Sequence, residues 1–256
     1  MLNDNEIICA IEKNLFDFYS FINDNKTSVK LDNSLFIHTK NQVFSWPNFL
    51  FKQEILKSIT EPEIINLKEW LSINIATKII LNNLNIVSVE NYIKKYNFFP
   101  IAKWSGMYLK LEKDLEINFT EGFVVEEVRT FDDLKIWFEI VNSEVLKNSN
   151  LNYEVIKKMF ADDFLRCFLG KLSDIPVTTA SVFSINDFNG LYFIATKKEF
   201  QNRGLGSQTV KSVINTCLKG AYKNFILHAT KMGESIYKKI GFREYSKIYI
   251  FTTLNK

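Results

Sequence analysis

The sequence predicts an α/β protein, with a mixed, mostly antiparallel twisted sheet flanked by helices in its C-terminal half. Three observations predict it. From residue 123 onward the elements read β-α-α-β-β-β-α-β-α-β. An antiparallel meander in that order feeds a β-α-β crossover. A loop with two glycines, Gln201-Asn202-Arg203-Gly204-Leu205-Gly206-Ser207, stands between a strand and a strongly amphipathic helix.

The first half opens with Ile7, Ile8, Ile11, Leu15, Phe18, Tyr19 and Ile22 at helical spacing. Leu35 to Ile37 and Val43-Phe44 read as short strands, with Asn41 as the turn residue between them. A helix is expected from Thr60, where Thr60-x-x-Glu63 forms a capping box and Pro62 falls in the first turn. The alternation of Ile, Leu and Asn from Ser72 to Val87 suits strand or helix. Ser88 caps a short helix through Tyr96, and Trp104 to Leu111 reads as a strand. Asp114 to Gly122 is polar and aperiodic, so it is the expected linker between a domain of residues 1–116 and one of 121–256.

In the second half, Phe123 to Val128 is a predicted strand. Thr130 caps a helix whose apolar stripe is Leu134, Trp137, Phe138 and Val141, and a second helix covers Tyr153 to Ala161. The meander follows: strand Arg166 to Leu172, turn Ser173 to Pro176, strand Val177 to Ile185, turn Asn186 to Gly190, strand Leu191 to Thr196. After the glycine loop, Val210, Val213, Ile214, Cys217 and Leu218 form one apolar helix face, which Gly220 ends. A strand from Phe225 to Ala229, a short helix from Glu234 to Lys239 and a strand from Tyr245 to Phe251 complete the chain.

Composition limits what this fold does. The 256 residues are 46% hydrophobic and 24% charged, enough for a packed core and unlike a disordered chain. A net charge of +3, with basic residues scattered singly, argues against a nucleic-acid footprint. No stretch approaches the roughly 20 apolar residues of a membrane span, and the N-terminus lacks a signal-peptide pattern. Cys9, Cys167 and Cys217 form no CxxC pair, so no metal site is expected and a cytoplasmic, reducing setting fits. Cys217 on an apolar helix face reads as a small buried hydrophobe rather than a nucleophile. Only Arg129, Arg166, Arg203 and Arg243 are arginines among 32 basic residues, which singles out each planar fork.

The glycine loop carries the chemistry. Gly204 and Gly206 let the backbone turn tightly and leave no Cβ over its N–H groups. The helix start then offers unpaired donors and the positive end of a dipole, which suits a phosphate or diphosphate. Arg203 adds charge and Ser207 a hydroxyl. A P-loop would need GxxxxGK[ST], and a dinucleotide fingerprint would need a third glycine where Thr209 stands. Neither nucleotide reading fits. What remains is Q-x-x-G-x-G.

With that string the chain resembles the GCN5-related N-acetyltransferases, whose acyl-coenzyme A loop is [QR]-x-x-G-x-[GA]. Tyr237-Lys238-Lys239-Ile240-Gly241-Phe242 is similar to that family's Y-x-x-x-G-F, at the family's distance downstream and on the family's elements. The competing reading is a glycine-capped helix on an unrelated α/β sheet. The resemblance implies the acyl-CoA N-acyltransferase fold, with acetyl-CoA as cofactor bound by the loop that Gln201 opens and its diphosphate on main-chain N–H groups of Asn202, Arg203, Gly204, Leu205, Gly206 and Ser207. It implies that the pantetheine arm pairs with Ile194, Ala195 and Thr196. The amide near Ile194 would polarise the thioester carbonyl, and a bulge would open this strand from Phe225 to Ala229. It implies a general-acid role for Tyr237 toward the leaving thiolate, a phenol near pKa 10 serving a thiol near 8.5; the alternative is a core tyrosine.

Some family members carry a glutamate on the strand before the loop, whereas Gly190 to Phe193 here holds no carboxylate. The base is therefore unassigned. Asp187, Glu126 and Glu127 could serve as base from neighbouring elements, though each reads as a surface carboxylate, and His228 reads as either a buried, hydrogen-bonded histidine or a base facing the acceptor. Glu90 to Leu111 is similar to the end of such a transferase domain, and Val43 to Phe51 to the start of one. The first half then resembles a degenerate copy without the cofactor loop, in which Trp46, Phe49, Trp70 and Trp104 are core aromatics. The expected activity is acetyl transfer to a primary amine on a small molecule or peptide. An idle acyl-CoA-binding module is the alternative, and aminoacyl transfer from tRNA is disfavoured by the mild charge. The acceptor is not readable, and a homodimer is compatible with the sequence.

Overall fold

The computed structural model describes residues 2–23, 25–31, 33–40, 47–74, 77–87, 90–147 and 151–253. The strand expected at Val43-Phe44, the turn residue Asn41, the aromatic Trp46 and the cap Ser88 lie outside the described residues. In the first half the elements are α1 (Asp4–Ile22), β1 (Asn25–Leu31), β2 (Ser34–Lys40), β3 (Asn48–Lys52), α2 (Glu61–Ile73), β4 (Lys78–Asn82), α3 (Asn83–Ile86), α4 (Glu90–Lys95) and β5 (Phe98–Lys110). The second half holds β6 (Phe123–Glu127), α5 (Phe131–Glu144), α6 (Tyr153–Ala161), β7 (Arg166–Leu172), β8 (Ile175–Ile185) and β9 (Phe188–Thr196). After a 3-10 turn at Lys198–Phe200 come α7 (Leu205–Leu218), β10 (Asn224–Ala229), α8 (Glu234–Ile240) and β11 (Arg243–Thr253). Among the described residues no helix is long and apolar enough to cross a membrane.

The chain divides into two compact units, one of residues 1–106, 229–232 and 244–256, the other of 107–228 and 233–243. In the first, β1, β2 and β3 form an antiparallel meander, α2 crosses over, and β4 runs parallel to β3. β11 pairs antiparallel with β4, Ile248 opposite Asn82 and Phe251 opposite Ile79. The ambiguous stretch after Ser72 resolves into both candidates: β4, then the single turn α3, because Asn82 and Asn85 cap each other at the junction. Ile64, Leu67 and Leu71 of α2 pack with Phe36, Leu50, Ile79 and Phe251 in the core. Phe49 is buried, while Trp70 and Trp104 are half-buried.

In the second unit the strand order is β10-β9-β8-β7-β6, antiparallel except for β9 and β10, which are parallel. Both turns of the meander are shorter than the sequence suggests. Ser173-Asp174 and Asn186-Asp187 all have φ between 48° and 66°. Short polar side chains tolerate this left-handed conformation, so each hairpin closes on two residues and the strands start at Ile175 and Phe188. Leu134, Trp137 and Val141 of α5 are fully buried, and Trp137 Nε1 donates to the Ala180 carbonyl at 3.0 Å. Phe138 is only half-buried, its ring against Tyr153.

The segment expected as a linker has no helix or strand from 111 to 122, yet it is fastened to one face of α7. Asn215 bonds both the N–H and the carbonyl of Leu115 at 2.8 Å, Lys211 donates to the Glu116 carbonyl, and Gln208 bonds both Thr120 N–H and Thr120 Oγ1. Aperiodic sequence here means backbone satisfied by side chains rather than by a ladder.

Candidate functional site

The glycine loop departs from β9 and enters α7. Asn202 at φ 62° and Gly204 at φ 75° are both left-handed, a curl that turns successive N–H groups inward as in an anion nest. Gly204 is the N-cap of α7 and brings no capping side chain, and no acidic residue follows in the first turn. The donors of Leu205, Gly206 and Ser207 are thus the orphans that every helix start leaves. Gln201 to Gly204 are exposed, Leu205 is buried on Phe123 and Val177, and Gly206 and Ser207 are half-buried. A Cβ on Gly206 would stand 3.1 Å from Thr196 Oγ1, so loop and strand end approach closely. Two side chains shape the loop. Gln201 donates to the Thr196 carbonyl at 3.0 Å, and Arg203 donates to the Glu199 carbonyl at 3.1 Å while its guanidinium covers the Phe200 ring at 5.2 Å. Thr209 fixes the first turn from beneath, donating to Leu205 O and meeting Thr178 Oγ1 at 2.7 Å.

β9 is broken ahead of the loop. Its pairing with β8 shifts register between Thr179 and Ser181, and Phe193 takes φ 50°, uncommon for an aromatic residue. Two buried hydroxyls hold the bulge: Thr179 Oγ1 donates to Phe193 O at 2.9 Å and Ser181 Oγ to Tyr192 O at 3.1 Å. The sequence reading passed over both. Their signal was present, since hydroxyls inside a strand as buried as Val177 to Phe183 must find partners. On its other side β9 pairs with β10 only from Phe188↔Asn224 to Leu191↔Leu227. Residues 192–196, among them Ile194, Ala195 and Thr196, therefore present backbone beyond the last β10 pair.

Tyr237 stands on α8, which packs against α7. Its ring lies edge-on to Phe242, 6.0 Å between centroids, and a Cβ on Gly233 would approach the ring within 2.9 Å. Burial pushes its phenol well above the usual tyrosine value, so the match to a thiol drawn from free pKa values is corrected: the group holds its proton more firmly. His228 follows the last β9–β10 pair, its ring stacked near Tyr192 at 6.2 Å. Burial lowers its pKa to about 3. Both ring nitrogens are shielded and neither has a hydrogen-bond partner among the described residues, against the expectation of a hydrogen-bonded core histidine.

The family model described as "Acetyltransferase (GNAT) domain" matches residues 128–254. The C-terminal half of this chain belongs to the GCN5-related N-acetyltransferases. No curated protein matches the sequence. Among solved structures, a GCN5-related N-acetyltransferase from Kribbella flavida superposes with a TM-score of 0.75 at 11% identity, over 96% of each chain. A second, from Sphaerobacter thermophilus, gives 0.66 at 9% identity over 85% of this chain and 79% of its own. A tandem GNAT protein from the clavulanic acid biosynthesis pathway gives 0.60 at 8% identity, over 85% and 78%. These likenesses establish the fold.

Of the three carboxylates considered as bases, two are held in ion pairs and the third lies on a turn of the second unit. Burial works against the charge of Glu127, yet bonds from Arg166 at 2.7 and 3.0 Å and the charge of Arg129 hold its pKa below the usual range. Glu126 pairs with Lys171, and Asp187 forms the β8–β9 turn. Cys217 is buried, and desolvation raises its thiol to about 11 despite the Arg166 charge nearby, which suits a core residue.

Proposed function

We propose that the protein is an acetyl-CoA-dependent N-acetyltransferase that acts on a primary amine of a small molecule or peptide, working in the cytoplasm. The observation that carries the reading is the pairing of an uncapped, acid-free helix start with a bulged strand that leaves its neighbour just ahead of it. Both features are costly to a fold without a ligand. The first leaves donors without a partner in the protein and the second leaves strand backbone without a ladder.

Acetyl-CoA would supply an acyl group activated as a thioester. Main-chain N–H groups from Asn202 to Ser207 hold the diphosphate, Gln201 opens the loop with its own N–H bonded to Lys198 O, and the guanidinium of Arg203 adds charge beside them. The backbone of Ile194, Ala195 and Thr196 pairs with the pantetheine arm, and the N–H near Ile194 orients the thioester oxygen. Tyr237 holds a proton for the departing sulfur. Its raised pKa keeps that proton in place across the working pH range; with no carboxylate on 190–193 to deprotonate it, the amine enters in its neutral form, and the proton that its nitrogen sheds on forming the amide restores the phenol.

The same missing carboxylate favours the second reading, an idle acyl-CoA-binding module. One pair of measurements separates them. Calorimetry with acetyl-CoA tests the site, and thiol release with a panel of primary amines tests turnover. Tyr237→Phe is expected to lower kcat about a hundredfold with the Kd for acetyl-CoA unchanged, the usual scale of one general acid. Binding without turnover on any amine, and no effect of Tyr237→Phe, would establish the module instead.

We also infer that the first half, residues 1–116 beside a GNAT half of 121–256, is a degenerate copy of the fold. In its unit β1-β2-β3, α2 and β4 repeat the meander and parallel crossover of β7-β8-β9, α7 and β10. Its crossover helix is closed to anions. Thr60 and Glu63 cap each other, at 2.7 and 3.4 Å, and Glu61 adds a further carboxylate to that turn.

A further inference from the structure

We infer that the His228 imidazole is a hydrogen-bonding seat for the amide-bearing arm of the acyl thioester, at the point where β9 and β10 part. The inference rests on the acyl-CoA reading above and adds to it a side chain where the family resemblance assigns only backbone.

Position comes first. Leu227↔Leu191 is the last rung of the parallel ladder, and His228 is the next residue on β10. Its ring stacks near that of Tyr192, the next residue on β9, at 6.2 Å and 27°. Beyond this pair β9 bulges at Phe193 and carries the backbone expected to receive the arm. The imidazole thus stands at the closed end of the opening.

Chemistry then narrows the partner. Both ring nitrogens are shielded from solvent and have no hydrogen-bond partner among the described residues. Buried polar groups are nearly always satisfied, and an exception in a native fold points to a group satisfied by something else. The hydroxyls that hold the bulge spend their protons elsewhere, Ser181 on Tyr192 O and Thr179 on Phe193 O. Burial keeps the ring neutral. A neutral imidazole offers one N–H donor and one lone pair, and a secondary amide offers one carbonyl and one N–H. The two sets are complementary. A carboxylate would match only half of the ring, and an ammonium only the other half.

The test uses the full chain, with His228→Leu removing both polar atoms and His228→Asn keeping a donor and an acceptor. Calorimetry measures acetyl-CoA, and also 3′-phospho-ADP, which has the diphosphate but no arm; thermal melts are run without ligand. His228→Leu is expected to melt at or above the wild-type temperature, because it removes unsatisfied buried nitrogens. It should bind acetyl-CoA about tenfold more weakly, the scale of a lost hydrogen bond plus an unpaired partner. It should bind 3′-phospho-ADP within about twofold of wild type, and His228→Asn should recover part of the loss. Equal acetyl-CoA affinity in wild type and His228→Leu overturns the inference. So does a lower melting temperature for both variants, or an equal loss for the two ligands. Failure of the wild type to bind acetyl-CoA sinks the cofactor reading itself, a result visible before any variant is made.

Discussion

A carboxylate placed at the third position of α7 should strengthen the helix and weaken the site. Ser207 is that position, three residues after the N-cap Gly204, and in α2 the equivalent position is Glu63, three after Thr60. Ser207→Glu puts a negative charge at the positive end of the helix, a gain of about 0.3–1 kcal/mol. The same charge opposes a diphosphate. At about 6 Å and an effective dielectric of about 20, one pair of like charges costs about 2.8 kcal/mol. Ser207 is half-exposed, so screening lowers this toward about 1.4 kcal/mol, a rise in Kd of about tenfold and less than a hundredfold. Ser207→Gln controls for size without charge and should stay within about threefold of wild type. Calorimetry with CoA at low and near-molar salt reads the result, and the penalty should shrink as the Debye length falls from about 30 to about 3 Å. Equal weakening by Glu and Gln, or a loss indifferent to salt, would refute an electrostatic diphosphate site at this turn.

Two further outcomes follow from the packing. Thr179→Val removes the hydroxyl that holds Phe193 O, leaving a buried carbonyl unsatisfied at a cost of about 1–3 kcal/mol. Thermal melts should show the loss, and acetyl-CoA affinity should fall with it because the bulge relaxes. Glu12 is buried, desolvation lifts its pKa from 4.5 to about 8, and Asn82 Nδ2 lies 2.8 Å from both its oxygens. Its pKa is higher folded than unfolded, so the stability it permits is complete below about 4.5 and lost as pH rises toward 8. The slope approaches 1.4 kcal/mol per pH unit within that window. Glu12→Gln should flatten it, read as thermal midpoints at pH 5, 6.5 and 8; an unchanged slope would locate the dependence elsewhere.

What the sequence made legible were features that local chemistry writes directly. The stripe Val210, Val213, Ile214, Cys217 of α7, the Thr60 and Thr130 caps, and the glycines at 204 and 206 each act within one or two turns of chain. The unreadable part depends on partners far away in sequence. Phe193 carries no mark of a left-handed residue; its conformation is imposed by hydroxyls of Thr179 and Ser181 on the neighbouring strand. The segment around Leu115 to Thr120 reads as a linker because its backbone partners are side chains of Gln208, Lys211 and Asn215, about ninety residues on. The orphaned nitrogens of His228 are likewise a property of its surroundings, not of its position in a strand pattern. The turns at Ser173 and Asn186 are legible but shorter than their residues suggest, since the sequence marks turn residues more clearly than the strands that resume after them.

The two crossover helices allow one last prediction, because the same element solves the same problem in opposite ways. At α2 the helix start satisfies itself: Thr60 Oγ1 accepts from Glu63 N–H, the Glu63 carboxylate accepts from Thr60 N–H, and buried Lys52 lies 3.9 Å from that carboxylate. At α7 the N-cap has no side chain and the first turn no acid. Its donors are left to water or a ligand. Hydrogen exchange reads that difference residue by residue. Without ligand, the amides of Leu205, Gly206 and Ser207 should exchange much faster than that of Glu63. Saturating CoA should slow the first three and leave Glu63 unchanged. By mass action a ligand at a hundred times its Kd adds about 2.7 kcal/mol, which caps the protection at about a hundredfold for amides that open only after the ligand has left. Exchange at Leu205 to Ser207 that is already slow without CoA, or that CoA does not slow, would mean that the start of α7 is satisfied within the protein and that its missing cap has no functional reason.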